Sequence, residues 1–461
     1  MHRSAAVLAA LATSISGAEF QTGQAARAVI GQASFSAHDA GIVAHALAVS
    51  KGRLYAADAS NRILTFDLTK IPGPKDDFGD RDGPACGVCG FSPVSIANQA
   101  VIRGVAGATA YGKTVVVADA ANHHVLIWRD TSVGSQKPDV VLGRAGSVLL
   151  EPTSVAFDGK RLFIGDAGLH RVLVWNTLPQ TEDQLADAVL GQPDFSSTGA
   201  NEAPGANTLH SPAALISDGT NLFVADAADR RIMVFTPGDT TLASDAVVNA
   251  ASLLATPLAA GGLATIRTKG QSDSARVEVL LNGDTVPVLS VNAEEIQIQM
   301  PADLGGATAG SLYVRSQQAG GAITVSNPVG VKLASAFPGL YAFGGSEPRA
   351  GLLLHADAAT SSGVPVTPET PAKPGEVVTA WGTGLGAVDD DGNVLNPVSA
   401  SVNGLTAEVV SAKLPEDAVG VYEIRVILPA EAGGKGTAQL FLTQAGNASN
   451  TITFPVEQRN P

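Results

Sequence analysis

Cysteine is nearly absent: Cys86 and Cys89 are the only two in 461 residues, and they stand as Cys86-Gly87-Val88-Cys89. A c-type haem attachment needs a histidine after the second cysteine, and Gly90 occupies that place. A tetrahedral zinc site needs a second ligand pair at suitable spacing, and none follows. A redox dithiol belongs at a helix start beside a βαβ pattern, whereas this pair lies in a Gly/Asp/Pro-rich stretch. The reading adopted is a structural disulfide between Cys86 and Cys89 in an oxidising compartment.

Positive charge is also scarce. With 29 Lys and Arg against 43 Asp and Glu, the net charge is −14, which opposes phosphate binding and excludes a nucleic-acid partner. No segment reaches the roughly 18 uninterrupted apolar residues of a membrane span. Gly-x-Ser-x-Gly, His-Glu-x-x-His and P-loop motifs are all missing.

What is present begins with residues 1–18. Arg3 supplies a positive start, Ala5 to Ala12 a short apolar run, and Ser16-Gly17-Ala18 the small residues of a cleavage site. This reads as a signal peptide, and the expected localisation is secreted, extracellular or periplasmic. The remaining length suits about three domains at about 150 residues each.

The next stretch is repetitive. Leu54 to Asp58, Val115 to Asp119, Leu162 to Asp166 and Leu222 to Asp226 are apolar strands, each ending in a small residue and then Asp. Turn pairs precede them at Lys51-Gly52, Gly112-Lys113, Asp158-Gly159 and Asp218-Gly219. Further strands open with a basic residue and close with an aromatic one: Arg62 to Phe66, His124 to Trp128, Arg171 to Trp175 and Arg231 to Phe235. A fourth strand type is expected at Ala28 to Gln32, Ala100 to Ile102, Val140 to Arg144 and Ala188 to Gln192. Four strands per repeat is the signature of propeller blades. Ala28 to Gln32 has no triplet before it and Phe235 no fourth strand after it, so the two are expected to pair.

These repeats resemble NHL-type propeller repeats, on Val189-Leu190-Gly191-Gln192-Pro193-Asp194-Phe195 and Val224-Ala225-Asp226-Ala227. The resemblance covers roughly residues 28 to 236. Propellers of that kind often have six blades, and four triplets occur here.

Beyond Thr236-Pro237-Gly238-Asp239 the pattern changes and duplicates. Val277 to Leu281 with Asn282-Gly283 echoes Val398 to Val402 with Asn403-Gly404. Ile296 to Pro301 echoes Ile424 to Pro429, and Ser326-Asn327-Pro328 echoes Ser449-Asn450-Thr451. Short alternating strands between Asn-Gly and Pro turns read as β-sandwich. This half resembles the duplicated C-terminal domain of secreted acidobacterial proteins, starting at Val247-Val248-Asn249-Ala250-Ala251-Ser252. Pro374 to Thr379 and Gly382-Thr383-Gly384-Leu385-Gly386 resemble the opening strands of an IPT/TIG immunoglobulin-like fold. The resemblance implies a surface or spacer module without chemistry of its own.

The expected fold class is therefore all-β. A four-bladed propeller (19–236) is followed by immunoglobulin-like sandwiches at 237–332 and 333–461. Strand alternation puts the turns of Asp58, Asp119, Asp166 and Asp226 on one face with the long connections 33–44, 145–152 and 193–211. His45, His123, His170 and His210 fall on or near that face. The four carboxylates can be structural, each accepting N–H bonds in its own turn, or can hold Ca²⁺; the histidines can ligate Zn²⁺. Asp389-Asp390-Asp391-Gly392-Asn393 lacks the spacing of a calcium loop and reads as a hairpin tip. Trp128, Trp175, Phe66 and Phe235 share one strand position and read as filling between blades.

The expected function is a secreted binding protein with no cofactor, using one propeller face with the sandwich pair as spacer. Its partner would be an extracellular protein, peptide or carbohydrate. The alternative is a propeller lyase or hydrolase with a Ca or Zn ion at the channel mouth.

Overall fold

The computed structural model describes residues 19–32, 34–37, 43–50, 53–58, 62–68, 88–89, 94–95, 107–112, 114–129, 138–143, 148–201, 203–269, 274–356, 361–433 and 436–458. Residues 1–18 and Cys86 lie outside them, and with them the signal-peptide and disulfide readings. No α-helix occurs among the described residues, so none is long and apolar enough to cross a membrane. The chain is all-β.

The first three repeats each form one antiparallel sheet in chain order. The first sheet is Ala44–Ser50, Arg53–Asp58, Arg62–Asp67 and Val94–Ser95. Its fourth strand is thus Val94–Ser95; the expected Ala100 to Ile102 lies outside the described residues. The second sheet is Ala108–Tyr111, Thr114–Asp119, His124–Trp128 and Val140–Leu142. The third is Pro152–Phe157, Leu162–Asp166, Arg171–Trp175 and Ala188–Leu190. The fourth combines Pro212–Ser217, Leu222–Asp226 and Arg231–Phe235 with the N-terminal strand Ala28–Ile30.

That last pairing runs Ala28↔Val234 to Ile30↔Ile232, antiparallel, as the strand count implies. The short strand Val88–Cys89 then adds in parallel and covers the outer edge. Turn chemistry sets the hairpins: Asp158 Oδ1 accepts from Lys160 and Arg161 N–H, and Gly159 takes φ 95°. Asp218 and Gly219 repeat the arrangement at φ 90°.

Inner strands link the sheets. Gly107 N–H donates to the Thr153 carbonyl at 2.8 Å, and Thr153 Oγ1 donates to the Pro212 carbonyl at 3.0 Å. The described contacts run from the first sheet through the fourth and third to the second; they do not show a closed ring. Trp175, Phe66 and Phe235 are buried in the cores between these sheets.

The second half holds two β-sandwiches. In the first, Val247–Asn249, Leu263–Arg267, Glu295–Gln299 and Val288–Val291 face a sheet built on Ser274–Leu281, Ala309–Gln318 and Val329–Ala334. Ile266, Ile296 and Ile298 from one layer meet Val279, Leu312 and Val331 from the other. The strand Val329–Ala334 runs past the expected boundary at 332.

The second sandwich is a single folded sheet. Leu405–Lys413 pairs with Val398–Val402 on one side and Tyr422–Ile427 on the other, with a register shift between Val409 and Ser411. A bulge at such a point bends the strand and turns one sheet into two layers. Leu440, Leu442 and Ile452 then close over Val378, Ile424 and Val426.

The duplication reaches individual hydrogen bonds. Ser326 Oγ accepts from Val314 N–H at 3.0 Å, while Asn327 accepts from Leu242 N–H and donates to its carbonyl. Ser449 Oγ accepts from Leu442 N–H at 2.9 Å, while Asn450 does the same with Leu340. Asn282-Gly283 and Asn403-Gly404 both take positive φ, as a two-residue hairpin requires.

The units are tied together by hydrogen bonds. Ala25 N–H donates to the Pro328 carbonyl at 3.0 Å, and Thr308 N–H donates to Ser36 Oγ at 3.1 Å. Between the sandwiches, Leu263 N–H donates to Thr383 Oγ1 at 2.8 Å. Arg349 is buried and donates to the carbonyls of Ala251 and Ser252.

Candidate binding face

In the second, third and fourth sheets the chain leaves the second strand at its Asp, makes a short turn, and re-enters through a residue in the left-handed region. His123 (φ 59°), His170 (φ 53°) and Arg230 (φ 54°) hold that place in the second, third and fourth sheets. The next residue opens the third strand, so cross-strand pairing sets each Asp opposite a basic residue. The pairs are Asp58↔Arg62, Asp119↔His124, Asp166↔Arg171 and Asp226↔Arg231.

In the third and fourth sheets this pair is a buried clamp. Asp166 Oδ1 accepts from the N–H groups of Leu150 (3.1 Å) and Glu151 (2.8 Å). Asp226 Oδ1 accepts from His210 and Ser211, both at 2.9 Å. The carboxylates therefore fasten the connection entering their own sheet, rather than accepting within their own turns. Arg231 bonds Asp226 Oδ2 at 3.0 Å, with no exposed side-chain surface on either partner. Arg171 stands 3.4 Å from Asp166 Oδ2.

Each guanidinium then grips that same connection and one more. Arg171 donates to the Phe195 and Val148 carbonyls at 3.0 and 2.6 Å. Arg231 donates to the Phe35 and Thr208 carbonyls, both at 2.7 Å. Gln192 and Gln32 complete the clamp by donating to the carbonyls of His170 and Arg230.

His123, His170 and His210 lie beside these turns. His123 Nδ1 bonds the Leu150 carbonyl and His170 Nδ1 the His210 carbonyl, so each turn reaches to the next sheet. The rings of His170 and His210 meet edge to face at 5.5 Å. His210 Nδ1 lies 3.3 Å from Asp229 Oδ1, and Asp229 Oδ2 lies 3.3 Å from Arg231. Burial, reinforced by the neighbouring Asp226 charge, raises the Asp229 pKa against the pull of Arg231 and His210.

One correction follows. Asp166 and Asp226 are fully buried, so they support the face and are not presented on it. Asp119 keeps the local role, accepting from Asn122 N–H at 3.3 Å and Nδ2 at 2.7 Å. Among the described residues no three His, Cys, Asp or Glu side chains gather as a metal site. The side chains of Asp58, His45 and Cys89 fall outside the described set. Asp389 accepts from Asp391 and Asn393 N–H groups, the hairpin tip expected there.

Sequence reasoning passed over what the face does expose. Val148 is 70% exposed, Leu150 47% and Phe195 44%. Phe195 stood inside the repeat signature, and its exposure depends on how long the neighbouring connection is.

No family model matches the chain, and no curated protein matches it. Among solved structures it is similar to a Bacteroides ovatus mixed-linkage glucan utilization locus protein, SGBP-B, in complex with a mixed-linkage heptasaccharide. The identity is 13%, covering 52% of each chain, with a TM-score of 0.23. The chain thus spans about half the length of that protein. Fibronectin(III)-like modules of Clostridium thermocellum CbhA match at 17% identity, over 46% of this chain and 94% of theirs, with a TM-score of 0.15. Glutaminyl cyclase of Myxococcus xanthus matches at 11% identity, over 46% of this chain and 91% of its own, with a TM-score of 0.23. Likenesses this shallow carry no argument about ligand or chemistry.

Proposed function

We propose that this chain is a secreted binding protein that uses the Asp-turn face of a four-bladed, NHL-like propeller. The two sandwiches, read as immunoglobulin-like and IPT/TIG-like, serve as its spacer or attachment module. One observation carries the reading: the connections on that face are held by buried clamps, Asp166–Arg171 and Asp226–Arg231. Connections fixed before any ligand arrives lose little conformational freedom on binding, and rigidly mounted loops are the usual carriers of recognition. The connection 191–212 is far longer than the usual 2 to 6 residues or so, yet Arg231, Gln192 and Asp226 order it. Four sheets in sequence, the last completed by the N-terminal strand, support the four-blade arrangement.

The mature chain, residues 19–461, should be screened on arrays of peptides and glycans, with hydrogen exchange followed for the strongest binder. Protection is expected at residues 148–151 and 193–200. Protection confined to the sandwiches would overturn the assignment of the face.

A further inference from the structure

We propose that Val148, Leu150 and Phe195 form a docking patch for a protein segment that brings apolar side chains flanked by lysine or arginine. This rests on the binding-face reading and names the partner's chemistry.

The argument starts from two copies of one structural unit. Arg231 grips the carbonyls of Phe35 and Thr208 as Arg171 grips those of Phe195 and Val148. Phe35 therefore corresponds to Phe195, and Thr208 to Val148. Their surroundings differ. Phe35 is fully buried in a cluster that includes Ala206, Leu209 and Ala309 of the first sandwich. Next to it Ser36 receives Thr308 N–H, and Asn207 lies against Gly330 of the same sandwich. Arg231 also takes the Gly205 carbonyl at 3.0 Å, so the long connection 191–212 folds over this copy. The connection 143–152 is shorter, and Phe195 stays 44% exposed beside Val148 at 70%. A surface that the chain covers itself in one copy is left open in the other.

The open copy is already ordered. Leu150 donates its N–H to Asp166, and its carbonyl is bonded by His123. Its margin is acidic: Asp194 precedes Phe195 and Glu151 follows Leu150, both exposed. Asp194 accepts from the N–H and hydroxyl groups of Ser196 and Ser197 at 2.6 to 3.0 Å, which lowers its pKa to about 2. An apolar patch bordered by fixed negative charge complements an apolar segment with a cationic rim, and salt should weaken the contact.

The test uses the full mature chain and two labelled peptides, one alternating Leu with Lys and the other Leu with Glu. The Leu/Lys peptide should bind saturably, and the Leu/Glu peptide at least about tenfold more weakly. Phe195→Ser with Val148→Ser should weaken the first peptide at least about tenfold at an unchanged melting temperature. A second pair, His170→Ser with His210→Ser, whose rings meet each other, changes the same face away from the patch. If only that pair abolishes binding, the patch assignment falls and the face stands. If neither pair affects binding, both fall. A wild-type chain that binds neither peptide overturns the patch as well.

Discussion

Asp226 and Arg231 meet at 3.0 Å across a single antiparallel register, and neither side chain retains exposed surface. A buried ion pair contributes little net stability by itself, but removing one partner leaves the other charged and uncompensated. Here the guanidinium also holds the Phe35, Gly205 and Thr208 carbonyls. The pair thus fixes chain segments far apart in sequence.

Asp226→Ala should therefore destabilise the fourth sheet by about 3 kcal/mol, the lower end for a broken buried pair, because Asp229 stays 3.3 Å from Arg231. Asp119→Ala, which removes bonds to Asn122 in an exposed turn, should cost about 0.5 kcal/mol or less. Denaturant-dependent hydrogen exchange of residues 222–235 and 115–128 measures both. Equal losses in the two variants would contradict the distinction between clamp and turn.

Deleting residues 19–36 should unfold the fourth sheet first. The deletion removes the partner of Ile232 to Val234, the buried side chains of Val29 and Ile30, and a carbonyl bound by Arg231. Several kcal/mol are expected, at about 25 cal/mol per Å² of lost apolar burial. Unchanged protection of Arg231–Phe235 in the truncated chain would mean that the pairing is dispensable.

Tyr422 gives the second sandwich an alkaline limit. Its hydroxyl donates to the Gly386 carbonyl at 2.6 Å, and burial pushes its pKa from 10.0 up to about 12. A raised folded-state pKa supplies stability that is complete below pH 10.0 and is lost as pH rises toward about 12. Tyr422→Phe should flatten that decline and cost about 1–2 kcal/mol at neutral pH through the orphaned carbonyl. Unfolding midpoints of both proteins between pH 8 and 12 or so make the comparison; parallel curves would exclude Tyr422 as the cause.

Asn327→Ala and Asn450→Ala should weaken the first and second sandwiches equally, by about 1–3 kcal/mol each. Each leaves one buried N–H and one carbonyl without a partner, on Leu242 and on Leu340 respectively. Hydrogen exchange at Leu242 and Leu340 reports the two losses separately. A large effect at one position alone would show that the duplicated bonds no longer carry equal weight.

The strands were legible because local chemistry writes them: Asp-Gly and Asn-Gly turns, alternation, and an aromatic at one repeated place. The pairing of Ala28 with Val234 followed from counting strands. The roles of Asp166 and Asp226 were not legible, because their partners lie 15 or 16 residues upstream in connections without any repeated motif. Arg171 and Arg231 were visible as a recurring basic residue, but their carbonyl partners belong to irregular chain. The fold of the second sandwich at Val409 was hidden for a similar reason, since a register shift leaves no composition signal. Exposure at Phe195 had no signal in the repeat, since its counterpart Phe35 is fully buried.

The pairing of the first strand also sets an order of events. Arg27 bonds Thr236 at 3.0 Å across 209 residues, so the earliest described strand waits for the last sheet of its half to be made. Until then Ala28–Ile30 lacks its antiparallel neighbour and has only the two-residue strand Val88–Cys89 to pair with, while three other sheets can assemble from neighbours close in sequence. Such long-range closure is slow and leaves a transient template for wrong pairing. The half-made chain is therefore the species most exposed to aggregation, and its hazard ends only when Phe235 has left the ribosome.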